Sequence, residues 1–122
     1  MAMGYVCNYL NFNGDALEAF TFYAELFGTA PSLEVSRYRD MPAEVEMPAL
    51  TDEDLDRVLH ARVEILDGFV LMATDALASL GMSARPGNNV SISLQVEERA
   101  EADRLYDALS RGDESAPGMA EA

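Results

Sequence analysis

Three polar residues recur at every second position of one short segment, and together they could do acid–base or anion-binding chemistry. His60 is the only histidine, and it alternates with Arg62 and Glu64 in "LHARVE". A strand would place this imidazole, guanidinium and carboxylate on one face. In the functional interpretation, His60 exchanges protons and Arg62 binds an anionic ligand. The alternative is a solvated or ion-paired polar face, which we favour because no nucleophile or second acid can be placed beside His60.

Polar residues alternate with apolar ones in two further segments, and they are suited to hydrogen-bonding a ligand. Tyr9 and Asn11 alternate with apolar neighbours in "YLNF", and "NVSISLQV" repeats the alternation over residues 89–96. Hydroxyl and amide groups both donate and accept hydrogen bonds. The candidate ligand-binding residues are Tyr9, Asn11, His60, Arg62, Met72, Ser91, Ser93 and Gln95. No catalytic residue is assigned.

The segment "YLNFNGDALEAFTFYAELFG" predicts a strand that runs directly into a helix. Leu10 and Phe12 have the period of two of a half-buried strand, and the apolar residues after them recur at spacings of three and four. Asp15 and Glu18 have the spacing of a capping box at the start of the helix. Gly28 is the residue type that commonly ends a helix in the left-handed conformation. The aromatic stripe of this helix is interpreted as core packing.

The next segments predict three strands and an acidic loop. A second strand is expected over residues 33–38, and a loop over "DMPAEVEMPALTDEDLDR", residues 40–57. A third strand then follows, and Asp67-Gly68 predicts a tight hairpin to the return strand "FVLMAT". In the third strand, the residues expected to face the core are Leu59, Ala61, Val63 and Ile65.

The end of the chain repeats its beginning. A linker is expected over residues 76–87, then a strand over Val90–Val96 and a helix closed by Gly112. We therefore expect an α+β fold made of one internal repeat. The predicted divisions are residues 1–75 for a strand–helix–three-strand module, 76–87 for the linker, 88–112 for the start of a second module and 113–122 for a tail.

Composition and charge exclude several classes of function. The chain has 122 residues, 49% of them hydrophobic, and no apolar run near the ~18–20 residues of a membrane span. Twenty-two acidic residues against eight arginines give a net charge of −14, which argues against nucleic acid and anionic membranes as partners. The N-terminus does not resemble a signal peptide, and the single Cys7 cannot form an internal disulfide. A cytoplasmic location is expected.

Four segments together resemble one superfamily. They are "YLNFNGDALEAFTFYAELFG", "RYRDMPAE", "HARVEILDGFVLMATD" and "NNVSISLQVEERAEADRLYDAL". The chain resembles the PhnB-like branch of the vicinal oxygen chelate superfamily, which includes glyoxalase, bleomycin-resistance protein and extradiol dioxygenase. The resemblance implies βαβββ modules that curl into a cup, which binds a small ligand and often a metal. Members of this branch are often labelled 3-demethylubiquinone methyltransferase, but the sequence has no Gly-rich nucleotide-binding turn, so we reject that activity.

The resemblance also implies where metal ligands would lie. Metal-dependent relatives would carry His or Glu near Cys7, Met72 and Ser91, and these residue types do not suit a water-activating divalent ion. Cys7 with Met72 would suit a soft metal, although an inert buried cysteine is far commoner. No metal and no cofactor are predicted. The leading hypothesis is a metal-independent cup domain that binds an unknown small molecule or functions mainly as an interaction module. The alternative is a metal-dependent lyase, isomerase or dioxygenase.

The second module has too few residues to close a cup. Only ten residues follow Gly112, and they contain no strand pattern. A strand over Val90–Val96 without module partners would expose its backbone groups, which folded proteins avoid. Members of the superfamily commonly bring modules from two chains together into a shared sheet and cup. The resemblance therefore implies a homodimer in which this strand packs or pairs near the first strand of one chain or the other, with the ligand site near that junction. A shortened piece of a longer protein is the alternative.

Overall fold

The structure is a computed structural model that describes residue 4, residues 6–41 and residues 50–111. Its chain divides into two compact units between Arg85 and Pro86. Single 3-10 turns lie at Ala30–Ser32, Tyr38–Asp40, Leu66–Gly68 and Ala78–Leu80. The strands and α-helices are β1 (Asn8–Phe12), α1 (Ala16–Phe27), β2 (Glu34–Arg37), α2 (Asp52–Leu55), β3 (Val58–Glu64), β4 (Val70–Asp75) and α3 (Arg99–Arg111).

The first unit contains a four-stranded sheet in the order β1-β4-β3-β2. β1 runs parallel to β4, whereas β3 is antiparallel to both β4 and β2. Helix α1 makes the connection from β1 to β2. The α+β class and the order strand, helix, three strands are therefore confirmed.

Helix α1 covers one face of this sheet with small and aromatic side chains. Ala16, Phe20 and Ala24 recur every four residues and are all buried. The Phe20 ring meets Phe12 of β1 edge-on, with ring centroids 6.2 Å apart. Alternate residues of the two central strands complete this core: Ala61, Val63, Leu71 and Ala73. Because strand side chains alternate between faces, their neighbours in sequence lie on the face away from α1.

The start of α1 is capped by a distant residue, and the predicted capping box is wrong. Asp15 makes no side-chain cap. Instead, Oδ1 of Asp75 accepts hydrogen bonds from the backbone N–H groups of Gly14 and Ala16, each at 3.0 Å. Its Oδ2 accepts from the N–H of Val58 at 2.9 Å. This buried carboxylate therefore joins the end of β4 to the starts of both α1 and β3.

Two turns that the sequence predicted from glycines are confirmed. Asp67 and Gly68 have φ angles of 49° and 77°, and the N–H of Ile65 donates to the carbonyl of Phe69 at 2.8 Å. Positive φ at both central residues is what a type I′ turn requires, one of the two turn types favoured in tight hairpins. Gly28 ends α1 with a φ of 68°. Local turn chemistry thus fixes where α1 stops and where β3 turns back into β4.

A bulge between β2 and β3 changes which side chain of β3 is buried. Ser36 pairs with His60 while Arg37 pairs with Val58, so Leu59 has no partner in the register. Val58 is 1% exposed, whereas Leu59 is only half-buried. The expected inward position of Leu59 is therefore wrong, because one extra residue shifts the alternation.

The end of the predicted acidic loop is a helical turn. Helix α2 begins after Thr51, whose hydroxyl accepts from the N–H of Asp54 at 3.1 Å. The Asp54 carboxylate in turn accepts from the N–H of Thr51 at 3.4 Å. The expectation of a loop is therefore wrong for this part, because a capping box stabilises the turn. The part of the loop over residues 42–49 lies outside the described residues.

The chain after β4 belongs to the first unit as far as Arg85. Leu77 is fully buried, and the Ser79 hydroxyl donates to the Asp54 carboxylate at 2.7 Å. The Asn13 side chain donates to the carbonyl of Ala84 and accepts from its N–H, both at 2.9 Å. These contacts hold much of the segment expected as a linker against the rest of the first unit. The domain divisions drawn from the sequence stay a prediction.

The second unit contains the predicted helix but not the predicted strand. Helix α3 buries Leu105, which is 2% exposed. Residues 90–96 form no strand, and Val90 and Ile92 are 75% and 40% exposed. The expected strand over Val90–Val96 is wrong in this single chain, because a strand needs a hydrogen-bonding partner and none of the described residues provides one.

Candidate functional site

The face of the sheet opposite α1 carries most of the polar side chains proposed for ligand binding; we call it the open face. Strand register sets one row across all four strands, from Tyr9 on β1 through Met72 and Arg62 to Glu34 on β2. Neighbouring strands lie about 4.8 Å apart, so this row is roughly 14 Å long. The open face thus combines an aromatic and a thioether side chain at one end with charged groups at the other.

Tyr9 and His60 contact each other on this face. The Tyr9 hydroxyl lies 3.3 Å from Nδ1 of His60, and the two ring centroids are 5.9 Å apart at an interplanar angle of 43°. Partial burial, followed by the ionisable groups of Tyr38 and Cys7, raises the pKa of Tyr9. The phenol therefore stays protonated at neutral pH. When its hydroxyl donates to Nδ1, the neutral imidazole carries its proton on Nε2 and can donate from there.

Arg62 lies between two carboxylates without being hydrogen-bonded to either. Its guanidinium nitrogens are 3.8 Å from Glu34 and 3.9 Å from Glu64. These distances describe loose ion pairs, because N–H···O hydrogen bonds need about 2.7–3.2 Å. Within residues 6–41 and 50–111, the Arg62 side chain makes no hydrogen bond, and it is 31% exposed. Its N–H groups are therefore available to a ligand.

Several open-face residues did not appear among the sequence candidates. Ser36 lies across from His60, Thr74 lies across from Asn11, and Glu34 lies across from Arg62. The signal that could have found Thr74 is alternation along β4, because Thr74 lies two residues after Met72. Glu34 and Ser36 depend on the β2–β3 register, which the bulge alters.

The candidates in the second unit are not part of this sheet. Ser91, Ser93 and Gln95 belong to no strand and are exposed. The Gln95 amide donates to the Ser93 hydroxyl at 3.5 Å, a weak contact. The structure thus brings together Tyr9, His60, Arg62 and Met72, with Asn11 one row away, and leaves the role of the other three a prediction.

The donor set on the open face does not fit a catalytic divalent metal. Cys7 is half-buried at the start of the β1 segment, and Met72 supplies only a thioether. In the part of the chain that the structure describes, no three or more His, Cys, Asp or Glu side chains are grouped so as to hold a metal. His60, Glu34 and Glu64 share the open face but are not grouped in this way, and thioether and thiol donors do not complete the His and carboxylate set that activates water.

A separate depression of about 430 Å³ lies between α2 and the chain after β4. Its polar side chains are engaged with the protein itself. Arg57 donates to the Asn13 carbonyl at 3.1 Å and to the Glu53 carboxylate at 2.9 Å, and the Asp54 carboxylate accepts from Ser79. We therefore regard this depression as structural.

Comparison with known proteins gives a family and several structural relatives. The family model described as 3-demethylubiquinone-9 3-methyltransferase matches residues 5–120. The crystal structure of protein PA1353 from Pseudomonas aeruginosa is 36% identical, with a TM-score of 0.69, and the match covers 88% of this chain and 72% of that one. No curated protein matches the sequence.

A second solved structure shows the same fold at lower identity. It is described as a putative 3-demethylubiquinone-9 3-methyltransferase, PhnB protein, from Bacillus cereus, and it is 23% identical with a TM-score of 0.60 over 86% of this chain and 72% of that one. No helix within the described ranges is long and apolar enough to cross a membrane; the cytoplasmic location stays a prediction. The sheet topology and these matches together show that the chain belongs to the 3-demethylubiquinone-9 3-methyltransferase family, the PhnB-like branch with the glyoxalase-like, vicinal oxygen chelate fold.

Proposed function

We propose that this domain binds a small molecule on the open face without using a metal. The observation that carries the proposal is the Arg62 guanidinium, which lies at the centre of the sheet with no hydrogen bond from the described residues. Beside it, the Tyr9–His60 contact supplies a second polar group, the His60 imidazole, which can donate or accept a hydrogen bond according to its tautomer. Ligand sites commonly place a few polar groups of this kind against apolar side chains, here Met72 and the Tyr9 ring.

Methyl transfer is not part of this proposal. A nucleotide-like methyl donor is commonly held near a Gly-rich turn at the start of a helix, where backbone N–H groups are free. In this chain the N–H groups of Gly14 and Ala16 at the start of α1 already donate to Asp75. The family name therefore describes the relationship of the chain, and we do not extend the activity to it.

The alternative is a metal-dependent lyase, isomerase or dioxygenase, which the superfamily resemblance favours. Elemental analysis of protein purified without chelators distinguishes the two functions. We expect no stoichiometric divalent metal, and no rise in melting temperature on adding nickel, zinc or manganese. About one zinc or nickel per chain would overturn the metal-independent function and restore the enzymatic one.

The binding proposal is tested by a fragment screen read by NMR, with assigned amide and methyl signals. We expect binders that shift signals of Tyr9, Met72 and Arg62. His60→Ala and Arg62→Ala should each weaken these binders by about tenfold or more, since a hydrogen bond to a charged group contributes about 1.5–3 kcal/mol. Arg39→Ala is the matched control, because Arg39 pairs with Asp56 in an exposed position outside the four strands. Binders unaffected by either open-face variant would contradict the proposal.

We also propose that the protein is a homodimer. β1 is an edge strand, with β4 on one side and no strand among the described residues on the other. Val90 and Ile92 alternate with polar residues and are exposed. Pairing residues 90–96 of a second copy with β1 would satisfy both sets of backbone groups.

Light scattering at micromolar concentration tests the dimer. We expect about twice the 13.3 kDa chain mass. We also expect Ile92→Pro to lower the mass, since proline removes a ladder donor. A monodisperse monomer whose melting does not depend on concentration would refute the dimer.

A further inference from the structure

The charges on the open face are arranged around one arginine. Glu34 and Glu64 lie 3.8 and 3.9 Å from the Arg62 guanidinium, on the neighbouring strand and two residues along the same strand. The two carboxylates are 72% and 44% exposed, so they are free to turn toward a ligand. Together these groups supply one cation with unused N–H donors and two anions with unused acceptor capacity.

Neither a simple anion nor a simple cation suits this arrangement. An anion that reaches Arg62 also meets Glu34 and Glu64, on a protein whose net charge is −14. A cation that reaches either carboxylate meets the guanidinium. Like charges brought within a few ångströms of one another repel, at a cost that solvent screening reduces but does not abolish. A ligand that carries both charges and no net charge avoids both conflicts.

The apolar end of the same row suggests the rest of the ligand. Met72 is the cross-strand neighbour of Arg62, and Tyr9 is the next residue in the row. A charged group bound at Arg62 would place the ligand body over the Met72 thioether, about 5 Å away, and direct it toward the Tyr9 ring, about 10 Å away. Thioether and aromatic groups pack well against apolar and aromatic ligand atoms.

We propose that the open face binds a small zwitterion of the amino-acid class with an apolar side chain. Its carboxylate accepts hydrogen bonds from Arg62, its protonated amine contacts Glu34 or Glu64, and its side chain lies over Met72 and Tyr9. The proposal rests on the open-face binding function and adds the chemical class of the ligand.

The test uses the full chain and three probes, L-phenylalanine, L-leucine and L-methionine, with calorimetry or saturation-transfer NMR. We expect at least one of them to bind. N-acetyl-L-phenylalanine and L-phenylalaninamide, or the matching derivatives of the binder, each lack one charge and should bind at least about tenfold more weakly, as expected when one partner of a charge pair is missing.

The variants test the ligand's carboxylate and its protonated amine separately. Arg62→Gln should weaken the amino acid and the N-acetyl derivative, and Glu64→Gln combined with Glu34→Gln should weaken the amino acid while strengthening the N-acetyl derivative. Arg39→Ala should change neither, and unchanged melting curves show that each variant is folded. N-acetyl derivatives that bind as tightly as the amino acids, or no binding by any of the three probes, would overturn the zwitterion proposal. If the fragment screen then still finds binders that depend on His60 and Arg62, the broader binding function stands; if it finds none, both fail.

Discussion

Leu10 and Phe12 alternate with polar residues in the first unit, as Val90 and Ile92 do in the second, yet only the first pair lies in a strand. β1 has β4 beside it and α1 over it, whereas residues 90–96 have no hydrogen-bonding strand among the described residues. The same contrast holds for the helices. Helix α1 buries Ala16, Phe20 and Ala24, while α3 buries Leu105 alone. A residue pattern therefore specifies which face of an element is apolar, and the neighbouring elements decide whether that element forms.

The largest difference between the units is expected from removing a core side chain. Phe20→Ala should destabilise the first unit by about 3–5 kcal/mol, because it empties a fully buried aromatic site between α1 and β1. Leu105→Ala in α3 should cost about 2–3 kcal/mol, since fewer buried neighbours surround it. Urea unfolding followed by circular dichroism measures both. An equal or larger loss for Leu105→Ala would show that the second unit has the stronger core.

The next effect concerns the buried cap of the first unit. Asp75→Ala leaves three backbone N–H groups, at Gly14, Ala16 and Val58, without an acceptor, so we expect a loss of about 3 kcal/mol or more. Asp15→Ala is the matched control, because Asp15 makes no side-chain cap and its change should stay within about 0.5 kcal/mol. Similar losses for the two variants would mean that Asp75 does not cap α1.

A smaller effect is expected at the end of α1. Gly28→Ala introduces a side chain at a φ of 68°, where no atom lies close enough to clash. The cost is therefore only that of a left-handed alanine, about 1–2 kcal/mol. Thermal unfolding of Gly28→Ala is compared with that of Gly4→Ala as the control. Gly4 does not have a left-handed φ, and a carbon added there contacts no other atom, so the difference isolates the cost of the left-handed alanine. A neutral result at Gly28 would show that the helix ends differently in solution.

The smallest expected effect is the loss of folding stability as the pH falls, which we compare for one carboxylate in each unit. The Ser79 hydroxyl, followed by hydrogen bonds from Thr51, lowers the pKa of Asp54, and Arg104 lowers the pKa of Glu101. A lowered pKa in the folded state stabilises the protein above the unfolded-state value, and this contribution disappears as the pH falls through the folded-state value. Stability should thus decline slightly below about pH 4.

Salt separates these two contributions. The Glu101–Arg104 pair is exposed, so about 1 M NaCl should remove its part, whereas the hydrogen bonds to Asp54 are short-ranged and should persist. Unfolding of Asp54→Asn and Glu101→Gln at pH 7 and pH 3, with and without salt, gives the test. Equal salt sensitivity at both sites would contradict this assignment.

The sequence predicted the elements that depend on local chemistry. The period of two in β1, the four-residue spacing in α1 and the Asp67-Gly68 turn each lie within a few residues, so they could be recognised directly. Asp75 could not be identified as the cap of α1, because it lies 59 residues from Ala16. The bulge that buries Val58 instead of Leu59 depends on the register with β2, which no local pattern specifies.

The candidate site was predictable only where strand alternation held. Tyr9 and Asn11 lie on the face away from α1, as the alternation of β1 indicated, although their binding role stays a prediction. The contact between Tyr9 and His60 and the position of Glu34 beside Arg62 both depend on strand order. The strand expected over residues 90–96 failed for the converse reason, because its formation requires a partner that its own sequence does not contain.

The pair of hydrogen bonds between Asn13 and Ala84 also bears on the order of folding. It joins residues 71 positions apart, so closing it requires most of the first unit to be in place. Contacts of such long range form late, after the β3–β4 hairpin and α1 have provided local structure. Both bonds are exposed, so the same pair opens early in local fluctuations. The amide of Ala84 should accordingly exchange with solvent deuterium well before that of Leu71 in the middle of the sheet.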